Sequence, residues 1–211
     1  MNSRDIIKYI FVVLLLTTAG FVWWIQRPVR HGPGMVAPNQ PIQTAITDPQ
    51  PFRFKKYSLT PLAHYDIEAR VLGKERYYLG RGMDLCSIDL ALGWGPMSDN
   101  TLLRRVTIRQ SGRYYLWSMK DAGVPRDQII RNSANVHIIA GTVKVARQLR
   151  KVRQGHVVRI KGYLVKATAP DGWRQVSSLS RTDIGGGSCE LLFAAQLDLV
   201  APQLPPRTDN Q

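Results

Sequence analysis

Residues 142–165, TVKVARQLRKVRQGHVVRIKGYLV, decide the fold class. Val145, Leu149 and Val152 stand at i, i+4 and i+7, the spacing that puts three apolar side chains on one face of an α-helix. The period then changes. VVRIKGYLV is rich in β-branched residues, begins after Gly155 and stops before Pro170-Asp171-Gly172, which reads as a strand bounded by turns. A β-branched run at 136–139 precedes the helix, and another strand-like run at 190–200 closes the series. Strand, short helix, strand and final strand is the order of the second half of an OB-type barrel.

Runs at 67–72, 85–92, 106–110 and 114–118 supply further strands, each with turn residues near its ends. The expected fold is therefore mainly β with one short amphipathic helix, an OB-like or related small β-barrel. One transmembrane helix is expected to precede it. Residues 9–25, YIFVVLLLTTAGFVWWI, hold no charged side chain and are apolar all round, unlike a globular helix with its polar stripe. Helical rise of about 1.5 Å per residue gives them roughly 25 Å, which Ile6 and Ile7 extend towards the bilayer thickness. Trp23 and Trp24 suit the headgroup layer, and Arg27 and Arg30 follow as ionic stops. A cleaved signal peptide fits less well, because a cut near Thr17-Thr18-Ala19 leaves Phe21, Val22, Trp23 and Trp24 at the new terminus.

The chain thus divides into a tail at 1–8, an anchor at 9–26, a Pro/Gly/Gln-rich linker at 27–51, a basic barrel domain at 52–200 and a disordered polar tail at 201–211. The formal charge is +14. Arg4, Lys8, Arg27 and Arg30 against Asp5 account for +3 of it, so the excess belongs to the domain and favours anionic partners. Lys144, Arg147 and Lys151 repeat at helical spacing with Arg150 and Arg153 nearby, which gives the expected helix a basic face, either simply solvated or a docking surface for an anionic partner. In DLALGWGPMSD, Gly93, Gly95 and Pro96 surround Trp94, and this rigid loop either packs its indole on the barrel or presents Trp94 and Met97 as a recognition knob, the reading that makes them candidate partner-binding residues.

Cys86 and Cys189 are the two cysteines; a disulfide between them and two separate thiols both fit the sequence. No CxxC or Cys/His cluster asks for a metal, and nothing asks for a cofactor. Ser133, Asn135 and His137 in IIRNSANVHII, with Ser177, Ser178, Arg181, Asp183 and Glu190 in SSLSRTDIGGGSCE, are polar groups expected to converge on one end of the barrel. There is no GxSxG elbow, and Gly185-Gly186-Gly187 lacks the Lys-Ser/Thr of a phosphate-binding loop.

ALGWGPMSD, SANVHII, GYLV and SSLSRTDIGGGSCE, in this order, resemble the motifs of a family of small bacterial proteins with an N-terminal membrane anchor. The resemblance implies a domain of the cell envelope and carries no catalytic residue over. The anchor read from 9–25 makes this a single-pass signal-anchor protein of the inner membrane; Arg4 and Lys8 nearly balance Arg27 and Arg30, and the short tail with a long following domain favours the periplasmic side for the domain. The expected function is non-enzymatic: binding a protein partner of a membrane assembly, or an anionic polymer. An OB-type nucleic-acid-binding module is the alternative. A weaker one is a sortase-like cysteine transpeptidase, or another hydrolase, with His137, Cys189 and Arg181 as its residues. Against it, no TLxTC-like motif precedes Cys189, and the next arginine after it is Arg207.

Overall fold

A computed structural model describes residues 2–120, 123 and 125–202, apart from the side chains at 3, 6, 22, 25 and 26. Its elements are α1 (Ser3–Gln26), β1 (Ile42–Ala45), β2 (Phe52–Phe54), β3 (Tyr57–Arg76), β4 (Ile88–Gly93), a 3-10 turn (Gly95–Ser98), α2 (Asn100–Leu103), β5 (Val106–Ser111), β6 (Tyr114–Met119), α3 (Arg126–Arg131), β7 (Ser133–Ala140), α4 (Val143–Lys151), β8 (Val157–Thr168), β9 (Arg174–Val176) and β10 (Glu190–Val200). The chain is mainly β with a few short helices rather than one.

The strand order β3-β4-β7-β10-β8 closes because β3 also pairs with β8, giving a five-stranded barrel. All pairings in it are antiparallel except β7 with β10, and α4 lies between β7 and β8, the connectivity of an OB-type barrel. The twenty-residue β3 serves both edges of the closure. It bends at two register shifts, at Pro61/Ala63 and Val71/Gly73. A proline lacks the N–H that a central strand needs, so Pro61 is tolerated because it adjoins a bulge.

Alternation along the strands fills the barrel. Ile67, Ala69, Val71, Leu90, Leu92, Val136, Ile138, Val158, Ile160, Leu164 and Leu192 point inward and are buried. Val145, Leu149 and Val152, the apolar face read from the sequence, join the same cluster. Thr142 caps α4 by accepting from the Val145 N–H at 3.1 Å. At its other end Lys74 Nζ donates to the carbonyls of Leu149, Arg150 and Val152 at 2.8–3.0 Å. The Gly of GYLV has a steric reason: a Cβ on Gly162 would lie 1.9 Å from the Phe193 carbonyl oxygen, where β10 bulges between Ala194 and Gln196.

Three expectations are corrected. Among the described residues no helix is long and apolar enough to cross a membrane, which overturns the transmembrane helix and the single-pass signal-anchor organisation built on it. Arg4, Asp5 and Lys8 occupy the first turns of α1, so its uncharged part is 9–25, which rises about 25 Å against roughly 30 Å of hydrocarbon. The stretch 27–51 is not a free spacer. Val36 and Ala37 are buried, β1 pairs with β3, and the Val29 N–H donates to Gln154 O at 2.8 Å beside Gly155, whose φ of 88° lets the two segments meet. Finally, Trp94 and Met97 are no exposed knob, being 1 % and 0 % exposed. Trp94 continues the inward series Leu90, Leu92, and Met97 packs beneath the β5–β6 hairpin. Of the expected tail at 201–211, residues 203–211 lie outside the described residues.

Candidate cysteine-centred site

Inward alternation forces the neighbouring residues of β4 and β7 outward. Asp89 and His137 are direct cross-strand partners, and Leu191 of β10 lies on the other side of His137. One step along, Ala91 pairs with Asn135, and Cys189 immediately precedes β10 at that level. Three strands thereby deliver Asp89, His137, Asn135 and Cys189 to one patch of the barrel wall.

The β5–β6 hairpin covers that patch. Its two turn residues, Gly112 and Arg113, have φ of 57° and 73°, the left-handed conformation that a two-residue hairpin turn requires. Arg113 is costly there as a non-glycine residue, and its contacts hold it in place. Its backbone N–H donates to Tyr77 Oη at 3.0 Å, and its Nη1 donates to Asp89 Oδ1 at 2.9 Å and towards Cys86 Sγ at 3.7 Å. Its carbonyl accepts from Asn135 Nδ2 at 3.1 Å and faces Cys189 Sγ at 3.8 Å.

At the centre, His137 Nδ1 lies 2.9 Å from Asp89 Oδ1, with the Asp89 side chain wholly buried and that of His137 5 % exposed. The approach is not that of a linear hydrogen bond, and among the described residues Nδ1 and Asp89 Oδ2 have no hydrogen-bond partner; the contact is an ion pair. Burial works against a charged ring, but the Asp89 carboxylate and the Cys189 sulfur outweigh it and push the His137 pKa up to about 9. At neutral pH the ring is an imidazolium between a carboxylate and a sulfur. Asn135 Nδ2 approaches that sulfur at 3.6 Å, and its amide orientation is fixed by Gln110 Nε2, which donates to Asn135 Oδ1 at 2.8 Å.

The two cysteines are free thiols, not a disulfide. Burial pushes Cys86 up to about 11, which keeps it protonated at neutral pH. Cys189 is half-buried and lines a cavity of about 230 Å³. Trp94, Tyr115, Asn135, Arg181 and Glu190 line it too. Arg181 lies over the Trp94 and Tyr65 rings, 5.7 and 5.6 Å from their centroids, and donates to Tyr65 Oη at 3.3 Å. Glu190 points into the barrel mouth, where burial pushes its pKa up to about 8.

Of the residues expected from sequence, Ser133, Asn135, Arg181, Asp183 and Glu190 line this one cavity, and His137 adjoins it through Cys189. Ser177 and Ser178 hold the wall: Ser177 Oγ accepts from the Leu191 N–H at 3.0 Å, and Ser178 Oγ donates to Asp183 Oδ2 at 2.6 Å. Lys144, Arg147, Arg150 and Lys151 are exposed on α4, and Arg153 is half-buried beyond its end. Asp89 and Arg113 were missed, although an acid at an outward position of a strand that reads IDLAL was a usable signal. Among the described residues no cluster of His, Cys, Asp and Glu could hold a metal ion. Comparison with protein-family models, curated proteins and solved structures finds no match to this chain.

Proposed function

We infer that this domain is a cysteine-dependent enzyme of the acyl-transfer class. The observation that carries the reading is the series Asp89, His137, Cys189, with a 2.9 Å ion pair at its buried end and a half-buried sulfur opening into a cavity at the other. Cys189 is the nucleophile, His137 the general acid and base, and Asp89 the positioning residue that holds the ring. Cys189 adds to the acyl carbon as its thiolate, the counter-ion of the His137 imidazolium, and the imidazolium gives its proton to the leaving group, which departs as a neutral alcohol, thiol or amine. The acyl group is left as a thioester on Cys189. Water or an amine then attacks that thioester, passing its proton back to His137. The Asn135 amide, already aimed at the sulfur, is placed to donate to the oxyanion that forms there.

Reaction with p-nitrophenyl acetate tests this, read by intact mass and peptide mapping. An acetyl adduct on Cys189 in the wild type and in Cys86→Ser, lost in His137→Gln and slowed in Asp89→Asn, is expected. Equal labelling of both cysteines, or labelling that ignores His137, overturns it.

A second reading has its own observation. Lys74 and Arg76 at the end of β3 join Arg150, Lys151 and Arg153 around one open groove, with no acidic residue in its wall among the described residues. Such a groove suits an anionic polymer, and its affinity should fall steeply with salt. Binding of a heparin-type polymer that is insensitive to salt, or unaffected by Arg150→Glu/Lys151→Glu, would remove it.

A further inference from the structure

Among the described residues Arg181 forms no ion pair, although its charge is felt by the Glu190 carboxyl. Its guanidinium is half-buried, lies over Trp94 and Tyr65, and reaches only neutral acceptors: Tyr65 Oη at 3.3 Å, Gln43 Oε1 at 3.3 Å and Pro41 O at 3.5 Å. Among the described residues no carboxylate forms an ion pair with it. Two acids share its cavity, and neither takes that place. Asp183 is exposed and held by the Ser178 hydroxyl at 2.6 Å. Glu190 is buried in the barrel mouth with Oε2 unpartnered, and burial favours its neutral form.

A planar guanidinium on aromatic rings, on a residue that lines the same cavity as the Cys189 sulfur, is suited to a carboxylate on the bound molecule. The cavity, at about 230 Å³, is below the usual size of a drug-like site and takes only a small group. Resting on the acyl-transfer reading, we propose that the acyl donor carries a second, free carboxylate: a short dicarboxylic acid esterified or thioesterified at one end, whose free end is bound by Arg181 while the other is presented to Cys189. The net positive charge of the chain would steer such an anion inward.

Protection of Cys189 from alkylation tests the binding without requiring turnover. Iodoacetamide labelling is followed by peptide mapping in the presence of succinate or of its neutral diamide, succinamide. Succinate should slow labelling of Cys189 in the wild type severalfold at saturation and succinamide should not. Arg181→Gln should lose the effect, and Arg181→Lys, which keeps the charge without the planar fork, should retain part of it. Equal protection by the two compounds, or undiminished protection in Arg181→Gln, overturns the proposal, as does no protection by either. Turnover separates this inference from the reading beneath it. With succinyl and butyryl thioesters of N-acetylcysteamine, kcat/KM should favour succinyl by about tenfold or more, a preference that Arg181→Gln collapses. If neither thioester acylates Cys189 while succinate still protects it, the acyl-transfer reading fails and the carboxylate site stands.

Discussion

Replacing His137 by Gln should flatten the pH dependence of stability in a window set by the structure. In the folded protein the ring titrates near 9, against 6.5 when unfolded. A raised pKa means that the folded state holds its proton more tightly, so the ion pair contributes fully below about pH 6.5 and its contribution is lost as pH rises through 9. At about 1.4 kcal/mol per pKa unit, the difference amounts to roughly 3 kcal/mol between pH 6 and 9.5. Glu190 acts in the same direction over a lower range, because its carboxyl titrates near 8 folded and 4.5 unfolded, so its contribution is lost as pH rises through 8. Urea unfolding at intervals from pH 5 to 9.5 should show the wild type losing stability throughout. His137→Gln should start lower and lose roughly 3 kcal/mol less above pH 6.5. Glu190→Gln should remove the earlier part of the decline instead. An unchanged slope above pH 6.5 in His137→Gln would refute the ion pair with Asp89.

Trp94→Ala should cost about 3–5 kcal/mol in denaturant melts, as expected of a filled barrel mouth and not of a surface knob, which would change little. Gly162→Ala should cost about 4 kcal/mol or more or prevent folding, because the new methyl has no space beside the Phe193 carbonyl; a wild-type melting temperature would contradict that geometry. Lys74→Met should cost about 1–3 kcal/mol by leaving three carbonyls at the end of α4 without their donor, and hydrogen exchange should rise first in the last turn of that helix.

What the sequence made legible follows its periodicities. The α4 face of Val145, Leu149 and Val152 and the strand from Val157 were readable because each buries one side only, so that apolar residues recur with a clear period. The hairpin β5–β6 was readable as two strands but not as a lid, because nothing in RQSGRYY says that the Arg113 guanidinium will reach Asp89. Packing and exposure of Trp94 both fit the sequence, since glycines on both sides also suit an exposed loop. In the folded chain those glycines serve close approach: a Cβ on Gly93 would meet the Met97 carbonyl at 2.5 Å, and Gly95 has φ of 49°. The stretch 27–51 failed for a related reason, since Pro- and Gly-rich composition reports the absence of helix or strand pattern and not the absence of packing.

The site itself explains why its residues looked unrelated. Asp89, His137 and Cys189 lie 48 and 52 positions apart in sequence, and adjacency arises only once β4, β7 and β10 are side by side. The barrel needs inward residues of β4 and β7 to be apolar, and the two-residue period of a strand then leaves every other side chain facing outward. Asp89 and His137 use those outward positions, while the hairpin lid removes water from them and makes a lone ion there expensive. A buried Asp–His pair is a poor source of stability compared with apolar packing of the same volume, because desolvation offsets much of its attraction. Leu191 and Ile139 show that this wall accepts apolar residues two positions away. The placement of the imidazole of His137 beside the half-buried Cys189, while the buried Cys86 receives only the edge of the Arg113 guanidinium, is therefore better explained by chemistry at Cys189 than by the needs of the fold.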